Sequence, residues 1–158
     1  MTELHVAQLN LARARGPMTG PVMAGFVALL EEINALAERS PGFVWRLQDE
    51  HGDATQIHAF GDPLVIVNLT VWESIDELFR FAYRSDHVDV FRRRREWFVP
   101  YGGPNLVLWL IPSGSIPSIE EARDRLVHLA ERGPTVHAFT LKARFDGPAR
   151  DPLAAVPE

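Results

Sequence analysis

The chain has 158 residues, 46% of them hydrophobic and 23% charged, which is the size and balance of one globular domain and excludes a disordered segment. Its net charge of −5 speaks against general nucleic-acid binding, which needs a broad basic surface. Cysteine is absent, so disulfides, thiolate metal sites and cysteine nucleophiles are excluded. No basic stretch followed by an apolar core opens the chain, and no apolar run approaches the roughly 20 residues that span a bilayer. A cytoplasmic protein without membrane contact is therefore the expectation.

Leu4 to Leu11 alternates as a strand, and Gly16, Pro17, Gly20 and Pro21 then break the chain. Pro21 suits a first helical turn, and Val22, Met23, Phe26, Leu29, Leu30, Ile33, Leu36 and Ala37 follow at helical spacing. Ser40-Pro41-Gly42 ends that helix. Phe43 to Gln48 reads as a short strand with Phe43, Trp45 and Leu47 on one face and Arg46 on the other, exposed. Thr55 to Phe60 is a short strand or a loop. Leu64 to Trp72 is the clearest strand, apolar on both faces and so expected at the centre of a sheet covered on each side.

Ser74 and Glu77 have capping-box spacing, and a long helix is expected from Ile75 to about Phe98. Leu106 to Ile111 is an apolar strand. Ser118 and Glu121 form a second capping box before a helix that Gly133 ends, and Val136 to Ala143 is expected as a last strand. The order β-α-β-β-α-β spells an α+β, ferredoxin-like unit with an added C-terminal helix and strand. One domain over residues 1–145 and a loose tail over 146–158 follow. Helices on one sheet face leave the other bare, and sheet-to-sheet homodimerisation is the expected cover.

The chemistry-bearing candidates concentrate on the second helix. Ile75, Phe79, Ala82, Tyr83, Val90, Trp97 and Phe98 fall on one side of it, and His87 and Arg94 lie inside the same arc. Polar groups in an aromatic stripe have two readings. In one, His87 is a satisfied core histidine and Arg94 snorkels. In the other both line a pocket, with His87 as base or axial haem ligand and Arg94 holding an anion. Arg92 to Arg95 otherwise read as a solvated helix end. Asn68 sits in the most apolar strand and needs a partner or a ligand, and Asn10 ends the first strand. Trp72 borders the second helix, and His137 opens the last expected strand as either a second pocket histidine or a surface one. No histidine spacing indicates a metal, and there is no Gly-rich phosphate loop, dinucleotide fingerprint or nucleophile elbow.

From Trp72 to His87 the run W-E-S-I-D-E-L-F-R-F-A-Y-R-S-D-H resembles the antibiotic-biosynthesis-monooxygenase-like superfamily of dimeric α/β barrels. More narrowly, H-V-A-Q-L-N, F-R-R-R-R-E-W-F and G-P-T-V-H-A-F-T are similar to a bacterial family known only as a domain of unknown function, over about His5 to Phe145. The resemblance implies a homodimer and a small-molecule ligand. Its cofactor-independent oxygenases act on polycyclic aromatics through Asn, Trp and Tyr groups, for which Asn68, Trp72 and Tyr83 are the counterparts. Its haem-degrading members use an Asn on the first strand with a Trp and a His on the second helix. Asn10 and His87 could match two of these, but Tyr83 stands at the Trp position and His87 falls earlier in the helix. Three functions stay open: a cofactor-independent monooxygenase-like enzyme with His87, Asn68 and Tyr83 as catalytic groups, a haem-binding or haem-processing protein, and a non-catalytic binding protein. Trp72, Arg94, Trp97, Asn10 and His137 are the candidate ligand contacts.

Overall fold

A computed structural model of the chain describes residues 3–48, 61–84 and 92–142. Its elements are β1 (Leu4–Ala14), a 3-10 turn (Pro21–Met23) running into α1 (Ala24–Glu38), β2 (Phe43–Arg46), β3 (Val65–Trp72), α2 (Ile75–Arg84), α3 (Arg94–Trp97), β4 (Phe98–Val99), β5 (Leu106–Pro112) and α4 (Ile119–Arg132). All the strand pairings are antiparallel. The sheet runs β2-β3-β1, and β1 pairs on its other side with β5 and, at its far end, with β4. That is the ferredoxin-like order, with β1 and β3 at the centre.

Alternation sorts the core into two layers. Ala7, Leu9 and Leu11 of β1, Val65, Val67, Leu69 and Val71 of β3, and Val107, Trp109 and Ile111 of β5 share one buried face. Ala122, Leu126 and Leu129 of α4 pack on it. Ser118 Oγ accepts from the Glu121 N–H at 3.0 Å, and Gly133, at φ 73°, closes the other end by donating to the Leu129 carbonyl. On the opposite face, α1 and α2 meet Val6, Trp72 and Leu108 near one end and Ala14 near the other. Sheet-to-sheet pairing with a second copy is the cover expected for a face left bare by the helices; within the chain, α4 packs on the face opposite α1 and α2.

Three expectations are corrected. The second helix does not run unbroken to Phe98: the chain turns at Arg93, and Phe98 and Val99 pair with Ala14 and Arg13 as a strand. Tertiary pairing outweighs helical periodicity there, because Trp97 plugs a cluster with Met23 and Ala14 while its carbonyl accepts from the Arg15 N–H at 2.8 Å. The last strand is reduced to two isolated bridges. Thr135 and Ala138 close a turn on each other, which leaves Phe139 to exchange hydrogen bonds with Leu108 at 2.7 and 2.8 Å. Finally, β2 carries a bulge between Phe43 and Trp45. Its extra residue reverses the alternation, so Phe43 opposes Trp72 while Trp45 opposes Val71 and Arg46 opposes Thr70. Phe43 and Trp45 thus join different core layers. The segment Thr55 to Phe60 lies outside the described residues.

Candidate functional site

The space between the sheet and the two helices α1 and α2 is not filled. A cavity of about 650 Å³ lies there, within the range of small-molecule sites. Its roof is apolar: Phe26, Leu29, Leu30 and Ile33 from α1, and Leu78, Phe81 and Ala82 from α2. These α1 side chains are only partly buried although they face inward. The same helical spacing that predicts a packed face here lines a void.

The floor is polar. Gln8 and Asn10 on β1, Asn68, Thr70 and Trp72 on β3, and Arg46 on β2 all line the cavity. They meet because the β1–β3 register places Gln8 opposite Thr70 and Asn10 opposite Asn68, while the β2 bulge brings Arg46 opposite Thr70. The indole N–H of Trp72 donates to Thr70 Oγ1 at 3.0 Å, and Thr70 Oγ1 donates to Gln8 Oε1 at 2.8 Å. Trp72 is further fixed by stacking on Phe81 (5.1 Å between centroids) and by an edge contact with Phe43 (5.5 Å). The side-chain amides of Asn10 and Asn68, by contrast, make no hydrogen bond among the described residues, and both are open to the cavity.

Of the residues singled out from sequence, Asn10, Asn68, Trp72 and Arg94 line this cavity. Tyr83 belongs to α2, and His87 lies outside the described residues. Trp97 is 2% exposed and packs away from the cavity: the Nε1 of its indole would lie 3.3 Å from a Cβ at Gly25, and the Arg93 guanidinium sits 4.7 Å from the ring. His137 is on the other side of the sheet. Its Nδ1 and carbonyl both meet the Arg125 guanidinium of α4, at 3.0 and 2.8 Å, and its ring lies 4.5 Å from that of His128. Partial burial, helped by the charge of Arg125 and by His128, holds its pKa below the ordinary 6.5.

Sequence reasoning missed Gln8, Thr70 and Arg46. The first two carry a legible signal, since each is polar at a position of the same parity as Asn10 or Asn68 in an otherwise apolar strand. Arg46 lies on the face opposite Trp45, as alternation predicts, but nothing in the local pattern tells that this face is the cavity floor rather than solvent.

An antiparallel ferredoxin-like sheet with a polar-floored cavity under its paired helices defines an α+β fold with space of small-molecule size. The chain belongs to the family described as domain of unknown function (DUF3291), which matches residues 5–154. No curated protein matches it. Among solved structures it is similar to SnoaB, a cofactor-independent oxygenase from Streptomyces nogalater (17% identity, 73% of this chain and 96% of that one, TM-score 0.44). It is also similar to a conserved protein from Methanosarcina mazei Go1 (14%, 70% and 93%, TM-score 0.46). A third is a candidate antibiotic biosynthesis monooxygenase from Nitrosomonas europaea (12%, 75% and 97%, TM-score 0.46). No helix among the described residues is long and apolar enough to cross a membrane.

Proposed function

We propose that the chain binds a planar, largely apolar molecule in this cavity and oxidises it with molecular oxygen, without a bound cofactor, as a homodimer. The observation that carries the reading is the pair of opposed amides, Asn10 and Asn68, unbonded among the described residues and standing on the polar floor of a cavity with an apolar roof. Both side chains are exposed to the cavity and uncommitted within the described fold, so the two amides side by side are free to meet the oxygens of a ligand. Each amide offers a donor and an acceptor, enough to hold an enolate or phenolate oxygen beneath the apolar roof. Trp72, 1% exposed and fixed by its hydrogen bond, stacks behind Phe81, whose partly exposed ring offers the cavity an aromatic surface.

The chemistry asks little of the protein. Loss of a proton from an activated ring methylene gives a carbanion that is itself the reductant of oxygen. One oxygen atom enters the ring carbon as a carbonyl and the other leaves as water, so that CH2 and O2 become C=O and H2O. His87 is proposed as the base on the sequence argument alone. Haem binding, which also rested on His87, gains no support from the described residues.

The test is oxygen uptake with a hydroxyanthrone as substrate. Uptake coupled to quinone absorbance, well above the buffer rate and lost in Asn68→Ala, is the expected result. Uptake at the buffer rate would refute the oxygenase reading.

A further inference from the structure

The cavity is charged in one sense only. Among the described residues that line it there are three arginines, Arg46, Arg94 and Arg95, and no carboxylate. Arg94 and Arg95 are exposed, whereas the Arg46 side chain is 11% exposed. A Glu38 carboxylate oxygen lies 3.5 Å from Arg46 Nε, inside ion-pair reach but without hydrogen-bond geometry, and Nε is buried with no hydrogen bond among the described residues. Glu38 is the last residue of α1 and its side chain is half exposed, so water screens much of its charge. A guanidinium taken out of water needs a close, hydrogen-bonded counter-charge, and this one has only a loose one.

We propose that Arg46 is the anion-binding residue of the cavity, and that the ligand is an anion: a phenolate, enolate or carboxylate on a planar apolar body. This rests on the cavity being a ligand site, as argued above. Arg46 stands in register with Thr70 and lines the cavity with its Nε buried, so its guanidinium lies beside the polar floor rather than out in solvent. An acidic oxygen at Nε would complete the ion pair that Glu38 half supplies, and the ring would then extend under α1 toward the Asn10–Asn68 pair. Charge selection would fall to Arg46 and orientation to the amides.

Two fluorescent probes with one ring system separate the possibilities: anilinonaphthalene sulfonate, an anion, and N-phenylnaphthylamine, its uncharged counterpart. Arg46→Met should weaken sulfonate binding about tenfold or more, the scale of a charge-assisted hydrogen bond, and change the neutral probe less than about twofold. Arg46→Lys should keep most of the sulfonate affinity, and Arg46→Gln serves in place of Met if that variant does not fold. Equal loss of both probes, no loss of either, or loss on Arg94→Gln instead would overturn the assignment to Arg46. Failure of the wild-type chain to bind either probe would overturn the ligand-site reading itself.

Discussion

Asn10 and Asn68 face each other across the central strand pair, each flanked by apolar neighbours and each lining the cavity. One register fixes this relationship: in the same β1–β3 pairing Gln8 meets Thr70, and a slip of one residue in either strand would send that strand's two polar residues to the α4 face. The strands that build the core therefore also build the floor of the site.

Stability and function should separate at this pair. Because neither amide is bonded among the described residues, Asn10→Ala and Asn68→Ala should shift unfolding free energy by no more than about 0.5 kcal/mol. Hydroxyanthrone oxidation should nevertheless fall by roughly a hundredfold in each, as expected when a group that holds developing charge is removed. Urea unfolding and oxygen uptake on the same preparations read both.

Thr70→Val should behave in the opposite way. The substitution keeps the shape but removes the oxygen that accepts from Trp72 and donates to Gln8, leaving two buried groups unpaired. A loss of about 2 kcal/mol in denaturant unfolding is expected. A neutral result would mean that the Trp72–Thr70–Gln8 chain does not hold the floor.

Trp109 tests what covers the far face. It is 0% exposed under α4, with the Arg125 guanidinium 5.9 Å from its ring. Trp109→Ala should cost about 3–5 kcal/mol through the cavity it leaves. If α4 is the cover, that loss is the same at every protein concentration. A loss that shrinks as concentration rises would place a second copy on this face instead.

Much of this was legible in the sequence. The clear alternation of β3, the two capping boxes and the Pro-Gly breaks specify a ferredoxin-like unit, and Asn68 stands out because Asn is rare in such a strand. Three things were not legible, each for a non-local reason. The helix through Arg93 is broken by strand pairing with β1, which periodicity does not register. The run after Thr135 turns on itself and offers only Phe139 to the sheet. The one-residue bulge parts Phe43 from Trp45, so strict alternation misplaces Phe43, and Arg46, correctly set opposite Trp45, lies in the cavity and not in solvent because α1 and α2 cover that face.

His137 gives a pH dependence of known sign. Its pKa is lowered in the folded chain, first by burial and then by Arg125 and His128, so between the folded value and 6.5 the unfolded chain binds more protons. Its contribution to stability is present above 6.5 and is lost as pH falls through the folded value. Unfolding midpoints should drop as pH falls from about 7 to about 5. His137→Gln should flatten that slope, and an unchanged slope would remove His137 from the account.

The central claim is that the cavity under α1 is the ligand site, and calorimetric titration with a hydroxyanthrone under anaerobic conditions tests it most directly. Ile33 lines that space from α1, so Ile33→Trp would obstruct it from the roof. The account predicts saturable binding at one site per chain, weakened at least tenfold in Ile33→Trp while the circular dichroism stays that of the wild type. Binding that is absent from the wild type, or that is unchanged in the obstructed variant, would contradict it.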